Sequence, residues 1–524
     1  MLGSKKNLIL TLMLTFVFLL AIGSSLYATE KTFVIGMNTS AIVSLDPAVC
    51  AENEGLWILG NLYRGLVKTK PGSASEIEPD LAESWEFSNN NKTINFTIRE
   101  GVKFSNGDPV NAEAVAYSLK RTVKLAQSPS WMITQFGITE DSIKAIGNKV
   151  QITMDKAYSS SLFLSCMTLT STRTVNPQVA EEHNAEGDMG MAYLTEHSVG
   201  SGPYVLVSWE RNQKIIFERN KYYCGPKPEI DKIVIIDIPE SSSQLLQLKG
   251  GTIDFAWNLE HDQISDVEKT KGLYAISKPK FELIYLGMNG QYPPMDNVLV
   301  RRAIKSAVDP EAIMKAIGGG VVECHTFIPK GMFGYYDGEE FPYDPEKAKE
   351  LLAEAGYPDG FEMTLTVPDF LSTEGTVVKS YLEQVGIKTN LEVITYSTLL
   401  GKYRKQGLQM VIARWGSDYA DPDMNAKPFA HCRTTGPGAM VKQLAWRNAY
   451  ANPELTDMVE KAAFIQDRGE REKVYIDLQK KWQSDSVFKI FYQTNNQLGL
   501  NDRVGNFIIS EVYQTPWELI TLKD

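Results

Sequence analysis

The chain has 524 residues, 43% of them hydrophobic and 22% charged, with a formal net charge of -11. That balance describes a folded, water-soluble protein of two or three domains, at roughly 100–200 residues each, rather than a disordered chain. The acidic excess and the lack of any Lys/Arg-rich run argue against nucleic acid as a partner.

The N-terminus reads as a targeting segment. Lys5 and Lys6 precede an apolar run from Leu8 to Ile22, and small residues follow up to Ala28. This is the pattern of a cleaved secretory signal peptide, residues 1–28. The other reading is a membrane anchor, but a spanning helix needs about 20 apolar residues, and this run has 15. No Cys stands at the cleavage site, so no lipid anchor is expected. The mature chain then carries 51 basic and 64 acidic residues, a net charge of -13.

The mature fold opens on an alternating strand at Thr32-Phe33-Val34-Ile35-Gly36. A turn at Ser44-Leu45-Asp46-Pro47 leads to a helix with Glu52, Leu56, Leu59 and Leu62 at helical spacing, ending near Gly65. Trp57 and Tyr63 in this region read as core. Residues 81–87 and 93–98 form a hairpin about Asn89-Asn90-Asn91. Asn106-Gly107 is a tight turn, and Asn111 caps a helix from Ala112 to Lys124. Gly200, Gly202 and Pro203 shape a close backbone crossing. Ala303, Ile304 and Ala307 pack one helix face. Asp344 caps another helix, with Pro345 at its first position.

Val411 to Ala413 read as the end of a buried strand, and Gly416 and Pro422 bracket the loop that follows. That loop sets the carboxylate of Asp418 between two rigid aromatics, Trp415 and Tyr419. Desolvating such a carboxylate is costly unless a cation or several donors meet it. A ligand ammonium group is one such cation; the alternative is an Asp that bonds its own backbone in a turn. Ile490 to Thr494 form a late strand, followed by a loop and the segment 512–519.

Catalytic motifs are missing: no nucleophile elbow, zinc-binding helix or phosphate-cradling loop is present. Asp418, Asp421 and Asp423 form an acid cluster, but it lacks the glycine and distal Glu of a calcium loop. Neither a metal nor a cofactor is expected. Cys50, Cys166, Cys224, Cys324 and Cys432 are an odd set, so at least one thiol is unpaired in a monomer. A Cys324–Cys432 disulfide, or simple burial of these thiols, is expected ahead of metal binding.

Several of these segments together resemble the peptide/nickel family of bacterial ABC-transporter solute-binding proteins, the oligopeptide- and dipeptide-binding group. They are Leu81-Ala82-Glu83-Ser84-Trp85, the hairpin, residues 99–121 (REGVKFSNGDPVNAEAVAYSLKR) and Val199 to Tyr204. Residues 248–254, 285–289, 297–309, 343–357 and 382–387 follow in the family's order. The resemblance implies an α/β, two-lobed periplasmic-binding-protein fold with an inserted third domain and a ligand cleft between the lobes. It places lobe I at 29–65, 186–280 and 490–524, the inserted domain at 66–185 and lobe II at 281–489.

By the same resemblance the chain is not an enzyme. The resemblance implies a monomer of the periplasm that captures a peptide or peptide-like solute by hinge closure and delivers it to the membrane permease of an ABC importer. In peptide-binding members the motif W-x-x-D-Y supplies the Asp that pairs with the ligand amine; here it is Trp415, Asp418 and Tyr419. Trp131 resembles a family aromatic near the cleft, with packing as its other reading. Two departures stand out. The acid that follows the Leu-Asp-Pro turn in oligopeptide binders falls on Ala51, beside Glu52. The loop Pro368 to Thr376 lacks the Arg that dipeptide binders aim at the ligand carboxylate. Arg414 can serve an anion, though an Arg beside a strand end is more often a surface pair. Opines, oligosaccharides and nickel chelates stay open as ligands, and a secreted hydrolase is the rival outside the class.

Overall fold

Alternating burial sets the first strand. In Thr32–Met37 the side chains of Phe33, Ile35 and Met37 are fully buried, as a strand with one face on a core requires. It lies between Lys232–Asp237 and Phe255–Ala256, parallel to both. A second parallel block has Phe361–Pro368 between Ile387–Ile394 and Met410–Gly416. Two long antiparallel strands, Leu273–Met288 and Phe488–Asn501, join the blocks into one sheet of eleven strands among the described residues. The computed structural model describes residues 30–338, 341–512 and 514–523. The expected signal peptide, residues 1–28, lies outside them. No helix among the described residues is long and apolar enough to cross a membrane.

The sheet is the spine of two α/β lobes. Phe33, Trp57, Tyr204, Phe255 and Trp517 share one apolar core. Tyr285, Phe327, Phe429, Trp482 and Phe488 share another. A third core, with Phe96, Leu119, Phe136 and Phe163, lies under a separate antiparallel sheet of Ala82–Ser88, Thr93–Ile98, Lys149–Thr153 and Ile143–Ile146. The tail returns to the first core: Trp517 is fully buried and its backbone N–H donates to Asn61 Oδ1 at 2.9 Å.

Local signals in the sequence hold. Asn111 Oδ1 accepts from the N–H of Ala114, and Asp344 Oδ1 from that of Lys347. A side chain at Gly200 or Gly202 would collide with the backbone of Leu62 or Asn61, so that crossing needs glycine. Three expectations change. The strand expected to end at Ala413 runs on through Gly416, because Trp415 and Gly416 pair with Leu283 and Glu282. The strand expected at 490–494 spans Phe488–Asn501. The Cys324–Cys432 disulfide is not formed: all five thiols are free, four of them buried.

Two features position the site. The ladder between the long strands breaks between Pro279 and Leu283 and again between Ile284 and Tyr285. A bulge of this kind re-aims the side chains it carries, here Lys280 and Glu282. The second feature is a polar seam where residues 157–161 meet residues 463–471. The N–H of Ser159 donates to the carbonyl of Ala463 at 2.8 Å, and the Gln466 side chain donates to the carbonyl of Tyr158 and accepts from the N–H of Ser160. Arg471 adds a bond to Ser161 Oγ at 3.1 Å.

Candidate functional site

The loop after Gly416 is pinned at both ends. The N–H of Ser417 donates to the carbonyl of Phe281, and its Oγ bonds to Asn425 Oδ1 at 2.6 Å. Further on, Arg471 grips Asp421 with two bonds of 2.6 and 2.7 Å. Burial alone would depress the Arg471 guanidinium; the facing Asp421 carboxylate outweighs this and holds its pKa above the ordinary value. Lys427 pairs with Asp423 at 2.7 Å, and the Tyr419 hydroxyl donates to the same carboxylate.

Asp418 is different. It has no hydrogen-bond donor and no ion pair among the described residues. Its side chain is exposed, but what it is exposed to is a narrow cavity, with Thr69, Ser165 and Thr168 on one side and Gln514 of the tail on another. Accessible to water and ringed by protein, the carboxyl is only partly solvated. That desolvation pushes its pKa up to about 6.

The flanking aromatics do not play equal parts. Trp415 is half-buried and meets Phe429 edge-on, with centroids 6.4 Å apart. Its buried Nε1 has no partner among the described residues. Tyr419 is only 2% exposed and its hydroxyl is given to Asp423. It therefore shapes the wall of the Asp418 cavity without offering its polar tip. Trp131 sits in the short helix Trp131–Thr134, half-buried against the third core, and does not line the Asp418 cavity. Trp57 and Tyr63 are buried in the first core, as expected.

A larger cleft of ≈ 1400 Å³ opens between the lobes, with Asn258 and His261 on one side and Phe370, Glu374 and Arg414 on the other. The bulged strand crosses its floor. There Glu282 lies 3.2 Å from Lys280 and 3.9 Å from Arg414, and accepts from Thr494 Oγ1 at 3.0 Å. Burial works to raise the Glu282 carboxyl, but the two cations prevail and hold it below the usual range. Glu374 has its own partner, the Tyr492 hydroxyl at 2.5 Å, and burial still raises its pKa.

Arg414 is exposed and paired, in line with the surface-pair reading, and it also lines the cleft. It is paired with Glu282 only loosely, and its guanidinium stacks on Phe370 and Tyr396, 5.3 and 5.2 Å from the ring centroids. It thus brings a cation to the side of the 368–376 loop, which has none of its own. The acidic side of the cleft also differs from expectation. Glu52 turns toward Cys50 and the N–H of Ala51. Glu54, raised by burial, feels the Arg414 and Lys280 charges instead. Lys280, Glu282 and Glu374 carried no signal in the sequence, because the bulge that aims the first two appears only when the strands pair. Among the described residues no group of three His, Cys, Asp or Glu side chains is arranged to hold a metal ion; Asp421 and Asp423 are engaged by Arg471 and Lys427.

Comparisons with known proteins identify the family. The model of the bacterial extracellular solute-binding proteins, family 5 (middle region), matches residues 76–437. The probable D,D-dipeptide-binding periplasmic protein DdpA of Escherichia coli is 28% identical over 492 residues, covering 91% of this chain and 92% of that protein. Heme-binding protein A of Haemophilus influenzae is 28% identical, covering 86% and 84%. Among solved structures, the ABC transporter-associated periplasmic binding protein DppA from Helicobacter pylori, in complex with the peptide STSA, superposes with a TM-score of 0.79 at 25% identity, over 94% of this chain and 99% of that one.

Proposed function

Because the chain belongs to the bacterial extracellular solute-binding proteins, family 5, we propose that it captures a peptide or peptide-like solute whose ammonium group pairs with Asp418. The single observation that carries this is the state of Asp418: a carboxylate at the wall of a cleft, partly desolvated, with no counter-charge among the described residues. A ligand ammonium supplies the missing charge, and a cleft that closes over the pair strengthens it by excluding water. Relatives take ligands as different as a D,D-dipeptide and heme, so likeness alone does not choose the ligand. Asp418 favours one with an amine.

In this reading the lobes are 29–65, 186–280 and 490–524 against 281–489, with 66–185 inserted. The Trp415 ring walls the first ligand residue and its indole N–H meets a ligand acceptor. Arg414 and Lys280, gathered about Glu282, draw the acidic end of the ligand along the cleft. A ligand that touches both lobes binds the closed form better and shifts the population toward it. The closed protein, a monomer in the periplasm, then docks on the permease of an ABC importer.

The test is isothermal titration with short peptides and their N-acetylated forms. Free-amine peptides should bind, and acetylation or Asp418→Asn should each weaken them by about 30- to 4000-fold, the range for breaking a buried charge pair. Equal affinity of the acetylated and free forms would remove Asp418 from the site.

A further inference from the structure

A second chamber adjoins the Asp418 cavity. It has a volume of ≈ 710 Å³ and lies where helix Asn53–Leu62 meets the inserted segment and the C-terminal tail. Thr69 and Gln514 stand in the walls of both spaces. The ligand groove therefore does not stop at Asp418.

The residues around the chamber include donors that nothing uses, sealed beneath its surface. Trp57 Nε1, Arg173 Nε and Thr515 Oγ1 are buried and unpartnered among the described residues, and their side chains are 1%, 6% and 3% exposed. The two nitrogens can only donate.

Charge around the chamber points the same way. Arg64 is paired with Asp80 at 2.6 Å and Lys70 with Glu76 at 2.7 Å. Lys68 makes no ion pair among the described residues, and Arg173 reaches Asp80 only at 3.6 Å. Burial lowers the Arg173 guanidinium, the mark of a cation short of counter-charge. The remaining acid, Glu518, is raised by burial against the pull of Lys68 and Arg64.

Gly60 keeps the space open. It stands in the middle of the helix, where glycine is a poor choice on backbone grounds. A Cβ built there meets nothing within 4 Å. Packing does not ask for glycine at this position, but the volume of the chamber does.

We propose that the chamber receives an acidic group carried by the first residue of the ligand, the same residue whose amine pairs with Asp418. The inference rests on the peptide reading above and narrows it to ligands with an acid at their amine end.

The test compares Glu-Ala-Ala, Gln-Ala-Ala and Ala-Ala-Ala by titration into the mature protein. The Glu-first peptide should bind about tenfold tighter than the Gln-first one, as a charge-assisted bond outweighs a neutral one. Lys68→Met should erase that preference, bringing the Glu-first affinity down to that of the Gln-first peptide. Gly60→Met should weaken both long first residues and spare Ala-Ala-Ala, with a melting temperature no lower than the parent's. If Ala-Ala-Ala binds but Glu and Gln are equal and Gly60→Met changes nothing, the chamber holds only water and this inference falls alone. If none of the three binds, the peptide reading falls and takes this one with it.

Discussion

Asp418 and Asp421 stand three residues apart on one loop and have opposite surroundings. Asp421 is 3% exposed and fully engaged by Arg471, itself 1% exposed. Asp418 has solvent access and no partner among the described residues. Burial alone would rank Asp421 as the stranger residue. Counter-charge reverses the ranking: the paired acid holds the loop, and the unpaired one is the acid we propose a ligand meets. The neighbourhood of a carboxylate, not its depth, separates scaffold from site.

The largest way to break this contrast is Asp421→Asn. It leaves Arg471 buried without its counter-charge, and chemical denaturation should show a loss of about 3–5 kcal/mol of stability. A loss under 1 kcal/mol would mean that water or Asp423 stands in, and the scaffold half of the comparison would fail.

Next comes pH. A proton competes with a ligand ammonium for Asp418, whose pKa in the empty protein is about 6. Affinity for a free-amine peptide should be about tenfold weaker at pH 5 than at pH 7, since each unit below the pKa costs a factor of ten. The Asp418→Asn variant should show a flat profile over that range.

A smaller effect tests the seam beside Arg471. Gln466→Ala removes the side-chain bonds to Tyr158 and Ser160. Those bonds tie residues 157–161 to residues 463–471, beside the helix that carries Arg471. Losing them should weaken ligand by about threefold, the worth of an exposed hydrogen bond. Small-angle scattering of the empty variant should show a more open population.

The smallest change sharpens the other half. In the empty protein a carboxyl raised in the fold contributes stability below its unfolded pKa and loses it as pH rises through about 6. Asp418→Asn escapes that loss. Its melting temperature should sit slightly above the parent's at pH 7.5 and match it by pH 4. A clear drop at pH 7.5 would show that Asp418 holds structure after all.

Much of this was readable in the sequence where the cause is local. A cap such as Asn111 or Asp344 acts within three residues, and the hairpin at 82–98 is closed by its own Asn run. Asp418 was legible because its two aromatics flank it in the chain. Its contrast with Asp421 was not, because Arg471 comes from a helix 50 residues on. The cleft pair Lys280 and Glu282 depends on a bulge that exists only between paired strands. The chamber draws Gly60, Arg173 and Thr515 from three distant stretches, none with a motif. Arg414 was readable as a surface pair, but its stacking on Phe370 and Tyr396 was not, since that needs both loops in place.

The tail that brings Trp517 back beside Asn61 has a consequence for biosynthesis. The half of the molecule that leaves the ribosome first is finished by the residues made last. Until the strand Phe488–Asn501 and Trp517 arrive, the strand Phe255–Ala256 lacks its neighbour and Trp57 and Tyr204 lack the indole they pack against. Contacts spanning more than 450 positions in the chain close late. A nascent copy keeps this first core unfinished until synthesis ends, however early its own strands were made.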